Sequence, residues 1–303
     1  MKYKLCMILA AGLLMACSSD DDITTPKEEK PVVNTELRPI YVEVSERPMV
    51  VDGQEAKERG METRATETTT ASLEGFDMYG NLSLHHKVKK ESGVWKVTQN
   101  NYWPTGVADD EIIPFHAYTD GTFQVTSGTP YVNFTVSEDA FKQHDLLVAT
   151  ASASYSGQGG KVGTVPLTFD HACAAVVFNI QKTSDLGEAL SVHPVVLQKV
   201  YKKGKYYFGS GEWQINTEAN TEADFSNYTM TNSAFPVTTE SNPLPANYLF
   251  LIPQTCTKDT KLEITYAYPG QTQSKKTISL AGITWEAGKK YTINIVLGTG
   301  LIQ

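Results

Sequence analysis

The sequence predicts an all-β body behind an N-terminal leader, on three observations. Short runs rich in β-branched and aromatic residues recur along the chain, separated by glycine, proline, asparagine and serine. Two late runs alternate with a period of two. Leu262, Ile264, Tyr266 and Tyr268 oppose Glu263 and Thr265, while Tyr291, Ile293, Ile295 and Leu297 oppose Thr292 and Asn294. Such alternation puts one face in a core and the other in water, as in packed antiparallel sheets. Helical signals are weak. The segment 137–144 reads as two turns, with Ser137 capping ahead of Glu138 and Asp139.

Residues 1–17, MKYKLCMILAAGLLMAC, hold a positive start at Lys2 and Lys4 and an apolar run from Leu5 to Met15. That run is too short to span a bilayer as a mature helix, so it reads as a targeting signal. Its ending, Leu14-Met15-Ala16-Cys17, resembles a bacterial lipobox. The resemblance implies that Cys17 is diacylated, becomes the mature N-terminus and anchors the precursor to the outer membrane. A secreted soluble protein with an incidental Cys17 is the alternative. Ser18-Ser19-Asp20-Asp21-Asp22 resembles the surface-export signal of Bacteroidetes lipoproteins; a plain acidic tether would look the same. Residues 18–38 are polar and proline-punctuated and are expected to be disordered.

Residues 18–64 are expected to be more than a tether. Ile40-Tyr41-Val42-Glu43-Val44 alternates like a strand, and Met49-Val50-Val51 follows Pro48. Ile40, Val42, Val44 and Val50 are the apolar side chains such a leader strand would bury. All four arginines, Arg38, Arg47, Arg59 and Arg64, lie in the first 64 residues, and the other 239 carry 17 lysines and no arginine. An arginine-specific protease would therefore cut the leader and spare the rest. Compositional drift towards lysine is the alternative. The expected bond is Arg64–Ala65. Cutting there would release a strand and open a sheet edge to strand addition by another chain.

The body is expected to divide into β-sandwiches at residues 65–160 and 161–303. Predicted strands in the first are 73–79, 82–88, 94–98, 112–119, 131–136 and 146–151. In the second they are 165–169, 174–180, 192–201, 205–209, 248–252, 261–268, 273–280 and 290–297. The seam is placed in the small, glycine-rich stretch 152–161. Residues 217–247, rich in Thr, Asn, Glu and Pro, read as a long loop, the kind that often faces partners.

Formal net charge is −8. Beyond Arg64 the balance is 22 acidic against 17 basic residues, or −5. No basic patch with interleaved aromatics appears, so nucleic acid is not an expected partner. Cys173 and Cys256 could form a disulfide in an oxidising envelope or stay buried thiols.

Catalytic and metal chemistry find little support. His85 and His86 are adjacent and would point to opposite faces of a strand. His116, His144, His171 and His193 lack metal-ligand spacing, and no Gly-x-Ser-x-Gly elbow occurs. Asp170-His171 reads as a strand-end hydrogen-bonding pair. Asp109-Asp110-Glu111 suits a solvated turn better than a calcium loop. Trp95, Trp103, Trp213 and Trp285 could line a sugar platform or pack in cores. No cofactor and no enzyme activity are expected.

Six motifs occur in order: Thr63-Arg64-Ala65-Thr66 with Ala71 to Phe76; Tyr102-Trp103-Pro104 with Pro114-Phe115-His116-Ala117-Tyr118; Gln143 to Ala149; Leu167 to Val176; Tyr248 to Gln254; and Trp285 to Tyr291. Together they resemble the fimbrillin family of Bacteroidetes, lipoprotein-derived pilus subunits. The resemblance implies two transthyretin-like β-sandwich domains in tandem, removal of the leader strand by an arginine-specific protease, and assembly with other pilus subunits by strand exchange. It also implies a place in the fimbrium at the cell surface, with adhesion to a host or bacterial ligand. Six residues follow Leu297, at most about 21 Å extended. That is short for a donated strand unless 291–297 itself detaches, so a tip or accessory subunit is expected. A surface glycan-binding lipoprotein on the same scaffold is the alternative.

Overall fold

The computed structural model describes residues 36–51, 61–62, 73–157, 159–187, 189–215, 224–246 and 248–298. Its strands begin with β1 (Tyr41–Glu46), β2 (Val50–Val51), β3 (Met61–Glu62), β4 (Gly75–Gly80), β5 (Leu84–Glu91) and β6 (Val94–Gln99). β7 (Ile113–Tyr118), β8 (Thr122–Thr126), β9 (Thr129–Thr135), β10 (Leu147–Ala153), β11 (Thr164–His171) and β12 (Ala174–Lys182) follow. Then come β13 (Leu190–Tyr201), β14 (Lys203–Tyr207), β15 (Glu212–Gln214), β16 (Phe225–Thr229), β17 (Phe235–Val237) and β18 (Asn242–Pro243). The last are β19 (Leu249–Leu251), β20 (Gln254–Thr255), β21 (Lys261–Ala267), β22 (Ser274–Ser279), β23 (Thr284–Trp285) and β24 (Lys289–Leu297). No α-helix occurs among the described residues.

Hairpin chemistry explains several neighbours. Ser92-Gly93 joins β5 to β6 and Ser127-Gly128 joins β8 to β9, each pair with both φ values positive. Two-residue loops of that conformation match the right-handed strand twist. The seven-stranded sheet runs β1-β11-β10-β7-β4-β5-β6. Its two ends meet: Pro39 bridges Tyr102, the Ile40 N–H donates to the Asn101 carbonyl and the Trp103 N–H to the Arg38 carbonyl. Inside lies one core cluster, with Phe76, Met78, Val88, Trp103, Phe115, Leu147, Val165, Leu167 and Phe169.

The larger core cluster takes side chains from the remaining sheets. One runs β18-β12-β24-β2 with β19 and β3 attached, one β16-β13-β21-β22 with β17, one β15-β14-β9-β8, and β20 pairs with β23. β12 and β24 run parallel over eight residue pairs. β12 is a nearly unbroken apolar run because it is covered on both faces. In β24 the expected alternation holds for Tyr291, Ile293, Ile295 and Leu297, which are buried; Thr292 on the other face is buried as well. Parallel pairs also join β1 to β11 and β2 to β24, so the sheets are mixed where antiparallel ones were expected.

Three expectations change. The boundary near residue 160 falls between β10 and β11, which pair in one sheet, and the larger core cluster draws on both sides of it, with Tyr118, Val132, Phe134 and Val148 before it and Ala172 onward after it. β8 and β9 meanwhile pair into a sheet with β14 and β15 from beyond that point. The segment 137–144 forms turns instead of a helix. The Asp139 carboxylate accepts the Phe141 N–H, and the Gln143 side chain is drawn off to the Ser137 carbonyl and the Phe250 N–H. Those local bonds compete with the helical ladder. Within 217–247, residues 224–246 contain β16, β17 and β18, which pair with β13 and β12. Their polar composition hid the strands because pairing is supplied by apolar neighbours.

Candidate functional site

The candidate site is the strip along β11 that β1 covers. The strand lies parallel to β11 in the register Tyr41↔Thr164 to Glu46↔Phe169. The Tyr41 N–H donates to the Gly163 carbonyl (2.9 Å) and the Arg47 N–H to the Phe169 carbonyl (2.9 Å). Alternation along β1 decides what it buries. Ile40, just before it, is 4% exposed, and Val42 and Val44 lean half-buried on the same core cluster. Val50 was expected to be buried with them but is 64% exposed. It lies in β2, whose two residues run along the edge of β24, where backbone bonds and not side-chain packing hold it. Cys17, Arg64 and Ala65 lie outside the described residues.

Charged contacts fasten both ends of the strand. The Arg38 side chain, 6% exposed, pairs with Asp109, reaches the carbonyls of Pro104 and Val107 (3.4 Å each), and sits 4.4 Å from the Tyr155 ring centroid. Lys161 bonds Glu43 (2.6 Å) and Arg47 bonds both oxygens of Asp170 (2.7 Å), all exposed and therefore weak. Gly163 has φ +69, and a Cβ there would stand 2.7 Å from the Pro39 carbonyl oxygen. The close approach of Pro39 thus needs a glycine at position 163.

At the far end, Glu46 Oε1 lies 3.3 Å from His171 Nε2, while His171 Nδ1 donates to Asp145 Oδ2 (2.5 Å). The Glu46 contact has ion-pair distance without hydrogen-bond alignment. Asp145 also accepts the Cys173 N–H (3.1 Å). Burial disfavours the imidazolium of His171, yet the bond and charge of Asp145 and the charge of Glu46 hold its pKa above the ordinary histidine value. Burial raises Glu46, against a lowering by His171, with Asp145 adding a further rise. Asp145 is also pushed up by burial, opposed by the hydrogen bond and charge of His171 and by Cys173. Beside this cluster opens a cleft of about 200 Å³, lined among others by Met49 of the leader, Leu147, Asp145, His171 and Phe250.

The pairing expected within Asp170-His171 does not form. Adjacent strand residues face opposite sides, so Asp170 meets Arg47 while His171 turns to Asp145. The partners that matter each lie in a motif, Asp145 within Gln143 to Ala149 and His171 within Leu167 to Val176, but nothing local links them. Gly163 and Glu46 carried no motif signal.

The other titratable groups serve structure. His85 bonds Asp77 (2.6 Å) and His86 the Asn100 carbonyl (2.7 Å), on opposite faces. His116, packed against Phe208, is lowered to about 4 by burial. His144 bonds Asp120, and His193 meets the Thr231 hydroxyl. Asp109 serves Arg38, and Glu111 accepts the Ala108 N–H. Among the described residues no cluster of three or more His, Cys, Asp or Glu could hold a metal. Cys173 and Cys256 are separate buried thiols, Cys256 pushed up to about 12 by burial. Trp103 and Trp285 are fully buried and Trp95 and Trp213 pack half-buried against the cores, which removes a four-tryptophan platform.

The model of the fimbrillin-like family matches residues 52–303. A search of curated proteins finds no match. Among solved structures, a candidate cell adhesion protein of Bacteroides ovatus superposes with a TM-score of 0.55 at 17% identity, over 88% of this chain and 95% of that one. One from Parabacteroides distasonis gives a TM-score of 0.50 at 10% identity, over 89% and 90%. These likenesses show a shared fold. The family match takes in the groove strand β11, the Asp145–His171 pair and every strand from β3 onward, and by it the chain belongs to the fimbrillin-like family.

Proposed function

We propose that the protein is a subunit of a surface pilus with an adhesive role, carried to the outer membrane by a lipid on Cys17. An arginine-specific protease activates it at Arg64–Ala65, and a strand from another subunit then replaces the leader. The observation that carries this reading is the place of β1. It closes the gap between β11 and the Asn101–Trp103 segment, mainly through backbone bonds and a short apolar row, and the stretch holding Arg59 and Arg64 separates it from β4. Loss of β1 would expose an open sheet edge and apolar surface, the combination that strand addition fills.

Other features support it. Arg38 and Arg47 both precede proline, and a bond to proline lacks an N–H and has a fixed φ, which disfavours a protease's extended substrate pose. Arg38 is also buried. β24 is paired on both sides and sends four apolar side chains into the core, which favours a strand-accepting tip or accessory role over donation of β24. The two core clusters are our reading of two transthyretin-like sandwiches.

The test is digestion of the full-length chain with an arginine-specific protease. We expect one dominant product beginning at Ala65. A peptide copy of residues 40–51 should then raise the thermal stability of the cleaved chain. Resistance at Arg64 with cutting at Arg47 or Arg59, or no stabilisation by the peptide, would overturn the reading.

A further inference from the structure

We propose that His171, anchored by Asp145, is a carboxylate-binding subsite of the groove, and that it requires a strand lying there to present an acidic side chain at the register position of Glu46. Its selection of an incoming strand rests on the exchange reading above; its grip on the leader does not.

The geometry points there in three steps. The His171–Asp145 pair belongs to the body and stays when the leader goes, with side chains 7% and 5% exposed. One imidazole nitrogen is taken by Asp145 at 2.5 Å. The other, Nε2, is buried without a hydrogen-bond partner, and it faces Glu46 Oε1, likewise buried and unpartnered, at 3.3 Å. A strand with an apolar residue at that position would leave a buried imidazole nitrogen unanswered, and a lysine there would meet a cation. Unpaired buried polar groups are costly, so the pair discriminates between strands. The adjoining cleft beside Met49 and Phe250 gives a side chain room to reach it.

The surrounding charges set the direction with pH. Glu46 comes from β1, His144 and Asp145 from the segment before β10, and Glu74 from the segment before β4. Asp170 on β11 is occupied by Arg47, Asp120 by His144, and the Cys173 thiol is pushed up by burial. His171, Glu46 and Asp145 are all raised from their ordinary values. Of these shifts only the charge of Glu46 on His171 and the burial of Glu46 depend on β1 being in place; the bond and charge of Asp145 stay with the body. The attraction between Glu46 and His171 is present while His171 is protonated and is lost as pH rises through its raised folded value.

The experiment measures hydrogen exchange of the β1 amides in the full-length chain, corrected for the intrinsic pH dependence of exchange. In Glu46→Gln, opening of β1 should rise about tenfold near pH 6. In the unaltered chain it should rise as pH climbs through the raised folded pKa of His171, and His171→Asn should abolish that rise. Adding Glu46→Gln to His171→Asn should then cost little more. No change in Glu46→Gln, or full additivity in the double variant, would overturn the proposal. If His171→Asn fails to fold, the loss of the pH-dependent rise in Glu46→Gln decides it. A second arm offers the protease-cleaved chain two peptides spanning residues 39–49, with Glu or Lys at position 46. Preference for the Glu peptide supports the subsite, and equal binding overturns its role in selection. Binding of neither peptide overturns the exchange reading, while the full-length arm still decides the grip on Glu46.

Discussion

Ile40→Ala is the substitution that most directly measures how the leader is held. Ile40 is 4% exposed at the seam where the seven-stranded sheet closes, so nearly the whole side chain would be replaced by a cavity. Truncating a buried isoleucine costs about 2–4 kcal/mol, combining lost transfer energy with a void that relaxes only in part. If β1 opens as a local unit, that cost appears as a rise of about 30-fold to several hundredfold in the open population. Native-state hydrogen exchange on Tyr41 and Arg47, whose N–H groups bond the Gly163 and Phe169 carbonyls, would read it, with the buried strands β13 and β21 as internal reference. Val50→Ala is the control, because that side chain is 64% exposed and should change stability by no more than about 0.5 kcal/mol. Equal costs for the two substitutions, or unchanged β1 exchange in Ile40→Ala, would refute the idea that apolar burial at this end anchors the strand.

Three further outcomes are expected. Gly163→Ala should loosen β1 by about 1–3 kcal/mol, because its φ is +69 and the new Cβ would lie 2.7 Å from the Pro39 carbonyl oxygen; unchanged β1 exchange would count against it. His116 has its folded pKa lowered from 6.5 to about 4, so the unfolded chain takes up a proton first as pH falls, and stability should drop by roughly 2–3 kcal/mol across that window. Denaturant titrations should show a flatter acid slope in His116→Asn, and an unchanged slope would refute the assignment. Cys173 and Cys256 should label with thiol reagents only after unfolding and show no disulfide by non-reducing mass analysis; rapid labelling of the native body would contradict their burial.

Much of the fold was legible because alternation is local information. The runs around Phe76, Val97, Phe115, Phe134, Val148, Phe169 and Ile264 all became strands, and Leu262, Ile264 and Tyr266 are buried as their spacing requires. β8 and β16 were missed because Thr122–Thr126 and Phe225–Thr229 are short and mostly polar. Their ladders come from β9 and β13. The segment from Ile40 to Val44 was legible as a strand, yet its burial pattern was only partly so. Val50 follows Pro48 and belongs to a different sheet, which no local pattern reveals.

By itself the sequence determined the all-β class, the alternating faces of the strands and the confinement of arginine to the first 64 residues. These are properties of neighbouring residues: a period of two assigns each side chain to a face whatever the partner strand is. The tertiary structure decided which strands pair. It set β1 parallel to β11 and β12 parallel to β24, and it joined β8 and β9 to β14 and β15. It also brought Asp145 to His171 and both to Glu46. Strand edges offer the same backbone groups to any partner, so pairing is settled by burial summed over the whole molecule. Contacts between residues far apart in sequence leave no periodic trace in it.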